Sequence, residues 1–493
     1  MCVALLVAVA AALPLSPAHA DGPLAGREIH IGVAGPLTTP SATFGVEMKN
    51  AVDLAVDEKN AAGGVLGAKI VANALDDEAN ADKGKAAAAS FCGDDRTLAV
   101  EGTVNSGVML AAEKVYADCG LPILTPMASN PAITEQGLAN VFRLTNRDDR
   151  KGPALAKWLV AKMGKKAAVV VDDGTPYGKG LAEQFIGGFA GAGGEIVSRW
   201  TAKAGASDFT ADVASLPKDF DVLFFAGIKE GAFILKAMRA AGLNQAFACG
   251  DGCWSVGGFI KPAGDAATEG EGVRILSAAP TLGKVPGSAE FGAAYERRFG
   301  PINNYAASSY DAARILKGAI QAAAKAKGGM PTRADVLAAL KATNFQGVAY
   351  AAPEAFDAKG DDTAAVIFVK RRRRRPFSRD RPDRRSAIGS ERARARKSRP
   401  AASEPVRPPA VARSSGAWAP AASVAAKRSR HGLSLHGLAK RLRSASHTRA
   451  LALVALDDPA GHVRHRGSLD HSGLYSAAAR FARTQPGRAK WQV

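Results

Sequence analysis

Polar and aromatic side chains that could bind a small ligand follow the ends of several predicted strands. Each comes a few residues after a short apolar run: Ser106, Ser129, Asp148, Tyr177 and Asp251. In open parallel sheets, ligands lie at the carboxyl ends of the strands, where the first N–H groups of the next helix favour an anion. Two hydroxyls there suit a carboxylate, and an acid suits an ammonium. With aromatic walls, Phe44 among them, the set predicts a site for a zwitterion.

Each of these residues also has a purely structural interpretation. Ser106 and Ser129 could serve only as helix caps, and Asp148 could cap the helix after it. Asp251 lies between two glycines, where turn residues are common. Tyr177 could simply pack on its own helix. Only the combination of the five favours a binding site.

Motifs for catalysis are weak in this sequence. Gly174–Gly180 looks like a phosphate loop, but it has three residues between its first two glycines where such a loop has four. It also has Gly180 where Ser or Thr should hold Mg²⁺. His30 is the only histidine in residues 21–370, so the sequence offers a single candidate for the histidine base of a hydrolytic triad. We expect no catalysis, no cofactor and no metal.

Alternating strands and helices predict the elements that position the site. A first series runs from Glu28 to about Thr145, and within it Leu121–Pro131 is typical of a buried strand that opens onto a helix. A second series begins after Arg147 and ends at about Ala278. Repeated strand–helix units predict parallel sheets, so the fold class is α/β with two doubly wound lobes. Three more helices are predicted over about 289–298, 309–327 and 333–343.

The two ends of the chain differ from residues 21–370 in composition. Residues 1–20 combine a short apolar run with the cleavage pattern Ala18-His19-Ala20, which predicts a signal peptide and export to the periplasm. The net charge of +19 comes from the other end. Residues 371–493 hold 29 Lys and Arg against 7 Asp and Glu, a net of +22, whereas residues 1–370 carry −3.

This basic tail is rich in Arg, Ala, Ser and Pro and has little hydrophobic periodicity, so we predict that it is disordered. The abrupt change at Arg371 favours an out-of-frame or fused extension. A basic arm that binds polyanions without sequence specificity is the alternative. The aromatic residues of the tail are too scattered to form a platform for stacking bases, and we expect no specific nucleic-acid partner.

Four cysteines remain once the leader is removed. In an oxidising compartment an even number favours disulfides, with three possible pairings. We favour Cys92–Cys119, since both precede predicted strands and could meet at one sheet edge, and Cys249–Cys253, which would close a small loop. Buried free thiols are the alternative.

Short motifs recur in a familiar order over some 340 residues: Gly35–Leu37, Asn60–Gly64, Thr125–Pro131, Tyr177-Gly178, Asp208–Thr210, Gly250–Gly252, Tyr310–Ala312 and Phe356–Gly360. With this order and spacing, residues 28–370 resemble the periplasmic leucine/isoleucine/valine-binding proteins of ABC importers, which have the type I periplasmic binding fold. The resemblance implies that Ser106 and Ser129 bind the carboxylate of an amino acid, aided by backbone N–H groups around Met127. It implies that Asp251 binds the ammonium.

The resemblance also implies two lobes joined by a hinge of three crossings. We expect residues 21–146 plus 278–352 in the first lobe and residues 147–277 plus 353–370 in the second, with crossings near 146, 277 and 352. Tyr177 would close over the ligand from the second lobe. Phe44 would form a wall from the first lobe, and Asp148 would lie near the hinge.

Two departures from the family affect the pocket. Ile228–Glu230 follows a strand where the family often has an aromatic residue, and the loop Thr38–Thr43 looks longer than in the branched-chain binders. The ligand's side chain therefore stays open between a branched chain and a related amide, urea or aromatic amino acid.

We predict a monomeric binding protein that captures a small amino acid and delivers it to an inner-membrane ABC permease. One alternative is a ligand-sensing regulator of the same fold, which would need no leader. The other is a polyanion-binding protein that acts through its tail, which deletion of residues 371–493 would distinguish.

Overall fold

The computed structural model describes residues 22–39, 41–277 and 282–371. The predicted leader and almost all of the predicted tail lie outside these residues. The last described residue, Arg371, pairs with Arg274 in a strand, so the strand includes the first residue of the predicted tail. No helix of the described part is long and apolar enough to span a bilayer.

The first lobe is built on a five-stranded parallel sheet in the order β2-β1-β3-β4-β5. Four of its strands are buried and have near-continuous apolar sequences, whereas the edge strand Lys69–Asp76 is mostly half-buried. Helices alternate with them along the chain: β1 (Glu28–Gly35), α1 (Ala42–Ala61), β2 (Lys69–Asp76), α2 (Ala81–Gly93), β3 (Thr97–Gly102), α3 (Ser106–Asp118), β4 (Ile123–Thr125), α4 (Ala132–Glu135) and β5 (Val141–Arg143).

The second lobe contains a six-stranded sheet in the order β11-β10-β9-β8-β6-β7, parallel except for the β10–β11 pair. Its elements are α5 (Asp148–Met163), β6 (Ala167–Asp172), α6 (Pro176–Gly191), β7 (Glu195–Thr201), α7 (Thr210–Ala214), β8 (Val222–Ala226), α8 (Glu230–Ala240), β9 (Ala246–Cys249), α9 (Lys261–Ala263), β10 (Val273–Ser277) and the later β11 (Phe368–Arg371). Between β9 and α9 lie a 3₁₀ turn, Asp251–Trp254, and a π-helical turn, Val256–Ile260.

The chain then returns to the first lobe. Three helices follow the second sheet: α10 (Ser288–Phe299), α11 (Ala306–Lys327) and α12 (Arg333–Lys341). Their apolar side chains share one buried core with β1 and α1. The prediction of an α/β fold with two doubly wound lobes is confirmed.

The third crossing lies later than the predicted position near Ala352. Arg143, at the end of β5, is fully buried and pairs with Asp361 at 2.6 Å. The Arg143 N–H also donates to the Gly360 carbonyl at 2.9 Å. Because a buried guanidinium needs a carboxylate partner, this pair holds the segment around Asp361 on the first lobe. The chain crosses only between Asp362 and β11.

The cysteines form one disulfide rather than two. Cys92, at the end of α2, and Cys119, just after α3, are bonded across a Cα–Cα distance of 5.9 Å, as expected. The expected Cys249–Cys253 bond is absent, and that prediction is wrong. Both residues are free thiols in the apolar core of the second lobe, hydrogen-bonded to each other. Burial raises the pKa of each, which favours the thiol over the reactive thiolate.

Candidate functional site

A cavity with about 360 Å³ of empty space, part of it open to solvent, lies where the two lobes meet. It is lined from both sides by apolar, aromatic and polar residues: Phe44, Val104, Asn105, Ser106, Met127, Tyr177, Ile228, Asp251, Gly252 and Tyr305. Five of the seven predicted ligand-binding residues are among them. Ser129 and Asp148 lie behind the lining.

On the first-lobe side, Ser106 is the first residue of α3. Its Oγ accepts hydrogen bonds at 3.2 Å from the backbone N–H groups of Ser129 and Asn130, which leaves its own hydroxyl proton for a ligand. Helix α3 begins here, so the N–H groups of Ser106 and Gly107 have no acceptor within the helix, and none among the described residues. These neutral donors suit a carboxylate.

Met127 contributes differently from the expectation. Its backbone N–H and that of Ala128 donate to Thr125 Oγ1, at 3.2 and 2.9 Å. These N–H groups therefore stabilise the loop after β4, whereas the Met127 side chain lines the cavity. The donors left free on this side are the Ser106 hydroxyl and the first N–H groups of α3.

Ser129 lies behind the lining of the cavity. Its backbone carbonyl accepts the Asp148 N–H at 2.9 Å. Ser129 is 1% exposed. That it contacts the ligand carboxylate stays a prediction.

On the second-lobe side, Asp251 begins the 3₁₀ turn after β9 and is 1% exposed. Its Oδ1 accepts from the Tyr177 hydroxyl at 2.7 Å, and its Oδ2 from Lys151 Nζ and the Tyr305 hydroxyl, both at 2.6 Å. The approach of Tyr177 requires Gly250, because a Cβ there would lie 2.5 Å from the Tyr177 hydroxyl.

Local structure fixes the two tyrosines. Thr175 caps α6 by accepting the Gly178 N–H at 3.0 Å, which sets Tyr177 in the first turn of that helix. Tyr305 precedes α11 in the first lobe, and its N–H donates to the buried Glu47 carboxyl at 3.1 Å. Tyr305 thus reaches from the first lobe to an acid of the second.

Lys151 is the main residue that the sequence interpretation missed. It lies one turn into α5, is 2% exposed, and bridges Asp251 at 2.6 Å and Asp148 at 3.1 Å. Lysine is rarely buried without such partners. The i, i+3 spacing from Asp148 was a signal for this pair, but nothing in the sequence shows that it points inward.

The charges of this cluster follow from its contacts. Burial opposes ionisation of Asp251, but Lys151 and the two tyrosine hydroxyls outweigh it and hold its pKa below the ordinary value. Burial would lower the pKa of Lys151, but Asp148 and Asp251 raise it. Burial and the Asp251 charge raise the pKa of Asp148. Lys151 and Asp251 are therefore an ion pair.

Two further cavity residues were also missed. The Oδ1 atom of Asn105 is buried without a hydrogen-bond partner in the described part of the chain. Tyr305 packs edge-on against Phe44 with ring centroids 5.8 Å apart, so two aromatic rings meet at the cavity. Ile228 lines the cavity from the second lobe. Within the described residues, no group of His, Cys, Asp or Glu is arranged to hold a metal.

Two α/β lobes with a polar cavity between them define a solute-binding protein of the type I periplasmic binding fold. Residues 28–370 match the periplasmic binding protein family, and the chain belongs to it.

A Leu/Ile/Val-binding protein of Rhizobium johnstonii is 32% identical over 315 residues, which cover 62% of this chain and 83% of that protein. The crystal structure of a leucine-binding protein from Thermotoga maritima matches with a TM-score of 0.64 and 26% identity, over 70% of this chain and 96% of that chain. An ABC-transporter substrate-binding protein from Desulfitobacterium hafniense in complex with leucine matches with a TM-score of 0.59 and 27% identity, over 71% and 98%.

Proposed function

We propose that this protein captures a branched-chain or related amino acid between its two lobes and delivers it to the permease of an ABC transporter. The observation that carries the proposal is the cavity, which has neutral donors at one side and a buried acid at the other. The leucine-binding relatives support the same function.

The first-lobe side provides for the ligand's carboxylate. The Ser106 hydroxyl and the free N–H groups at the start of α3 converge there, and the positive end of the helix dipole favours an anion. Ser129 lies behind the lining, and its carbonyl accepts the Asp148 N–H, so it acts on the site indirectly.

The second-lobe side provides for the ammonium. Asp251 Oδ1 accepts one hydrogen bond, from Tyr177, and a carboxylate oxygen can accept another. Asn105 Oδ1 is a second acceptor at the cavity. Phe44, Val104, Met127 and Ile228 form apolar walls that suit a branched hydrocarbon side chain.

Closure of the lobes completes the site. Tyr305 of the first lobe donates to Asp251 of the second, and Asn130 Nδ2 donates to the Pro176 carbonyl at 2.8 Å. These bonds join the lobes across the cavity. Bending at the three crossings would break them and open the cavity to the solute.

The remaining expectations form part of the same proposal. Residues 1–20 direct export and are removed, and the protein works in the periplasm as a monomer without a cofactor. The permease would recognise the closed, loaded form.

Calorimetric titration of the mature chain with each of the twenty amino acids tests the proposal. We expect leucine, isoleucine or valine to bind, and a bound amino acid to raise the melting temperature by mass action. Asp149→Asn, which changes a partly exposed ion pair outside the cavity, is a matched control and should bind normally. Binding of none of the twenty would contradict the proposal.

A further inference from the structure

We propose that the cavity also binds branched-chain monocarboxylates that lack an α-ammonium, because Lys151 supplies from the protein the positive charge that Asp251 requires. This inference rests on the proposed function for the location of the ligand. It extends the ligand class beyond amino acids.

Asp251 is satisfied before any ligand arrives. Lys151 Nζ is 2.6 Å from its Oδ2, and the hydroxyls of Tyr177 and Tyr305 donate to Oδ1 and Oδ2. A buried carboxylate that lacked a cation would need the ligand's ammonium to offset its desolvation. With Lys151 in place, a ligand without an ammonium leaves no buried charge unpaired.

Lys151 is held in this position. Its side chain is 2% exposed, it lies on α5, and Asp148 contacts its ammonium from the other side at 3.1 Å. Removing one partner of a buried pair is strongly unfavourable, so a ligand does not displace Lys151 from Asp251. Burial raises the pKa of Asp148, which reduces the excess negative charge of the cluster.

The rest of the cavity selects a carboxylate with an apolar body. The hydroxyl of Ser106 and the first N–H groups of α3, at the first-lobe side of the cavity, recognise the carboxylate. Val104, Met127, Ile228 and Phe44 meet the hydrocarbon chain. A branched monocarboxylate satisfies both parts of the cavity.

Leucine and 4-methylpentanoate share one carbon skeleton and differ by the ammonium, so calorimetry on the mature chain with this pair isolates its effect. In the wild type we expect their dissociation constants to agree within about tenfold, a difference of about 1.4 kcal/mol. Lys151→Gln removes the internal cation. In that variant both ligands should bind more weakly, but the affinity for 4-methylpentanoate should fall by at least about tenfold more than the affinity for leucine, which brings its own ammonium.

Lys165→Gln is the matched control, because Lys165 forms a 2.7 Å ion pair with Glu271 away from the cavity. It should leave the ratio of the two affinities unchanged. Lys151→Met, which keeps the length of the side chain, provides a second variant if Lys151→Gln is unstable.

The outcomes separate this inference from the proposed function. Leucine binding without 4-methylpentanoate binding in the wild type would overturn the inference and leave amino-acid capture standing. If 4-methylpentanoate binds and none of the twenty amino acids does, the inference stands and amino-acid capture is contradicted. An affinity ratio that is the same in Lys151→Gln and the wild type would remove Lys151 from the explanation and overturn the inference.

Discussion

The first-lobe side of the cavity meets a ligand with neutral donors, whereas the second-lobe side is built around an ion pair. Ser106 and the start of α3 need only a helix and a loop to be in place. The cluster of Asp148, Lys151 and Asp251 needs two elements of the second lobe, α5 and the 3₁₀ turn after β9, and Tyr305 from the first. The neutral side therefore depends on few contacts and contributes modestly to ligand affinity. The charged side contributes more, but its geometry depends on all the residues of the cluster.

Asp251→Asn should have the largest effect, because it leaves Lys151 buried with Asp148 as its remaining acid. We expect a loss of about 3–5 kcal/mol in the free energy of unfolding, measured by urea denaturation, and at least about a hundredfold loss in ligand affinity. Asp149→Asn is the control: its carboxylate is partly exposed beside Arg147, and its loss should change stability by less than about 1 kcal/mol. Equal effects of the two substitutions would refute the importance of the buried pair.

Glu47 offers a second comparison, since it is a buried acid that has backbone N–H donors instead of a cation. Burial raises its pKa to about 8, although N–H groups of Tyr305 and Asn303 oppose the shift. An acid with a raised pKa contributes stability that is full below its unfolded value and is lost as the pH rises through about 8. Asp251 has a lowered pKa, so its contribution is present above its unfolded value and is lost as the pH falls.

Glu47→Gln should therefore flatten the decline in unfolding free energy between pH 5 and pH 8 by roughly 3 kcal/mol. The measurement is a series of urea titrations across that range. Other buried acids with raised pKa values, such as Glu113 and Asp362, will preserve part of the slope. A slope identical to that of the wild type would contradict a protonated Glu47.

The difference between the two sides also explains what the sequence could predict. Helix starts and strand ends are local signals, so Ser106, Tyr177 and Asp251 could be placed at the carboxyl edge of the sheets before the structure was known. The lobes and their strand–helix alternation follow from the same periodic patterns.

Partners that meet across long stretches of sequence leave no local signal. Lys151 contacts Asp251 one hundred residues away, and Tyr305 reaches the same acid from the other lobe. The place of Ser129 in the loop is a local signal, but its position behind the cavity lining is not. The later third crossing depends likewise on Arg143 and its distant partner Asp361.

Ser106→Ala and Ser129→Ala form a pair that tests the neutral side. Ser106 lines the cavity, so loss of its hydroxyl should weaken ligand binding by about tenfold, the value of a hydrogen bond to a charged group. Ser129 lies behind the lining and should change affinity by no more than about threefold. The measurement is calorimetry of both variants with the same ligand. A larger loss of affinity in Ser129→Ala than in Ser106→Ala would show that Ser129 binds the carboxylate.

Tyr305→Phe should have the smallest effect and is the sharpest test of the division between the two sides. Its hydroxyl belongs to the first lobe but donates to Asp251 in the second, at 2.6 Å. Removing it should weaken ligand binding by about threefold, because Lys151 and Tyr177 still satisfy Asp251. It should also shift the unliganded protein toward open forms, which X-ray scattering would detect as a larger radius of gyration. Tyr177→Phe removes an equivalent bond within one lobe, so it should weaken binding similarly without that change in size. If both variants have the wild-type radius, Tyr305 stabilises Asp251 but does not hold the lobes together.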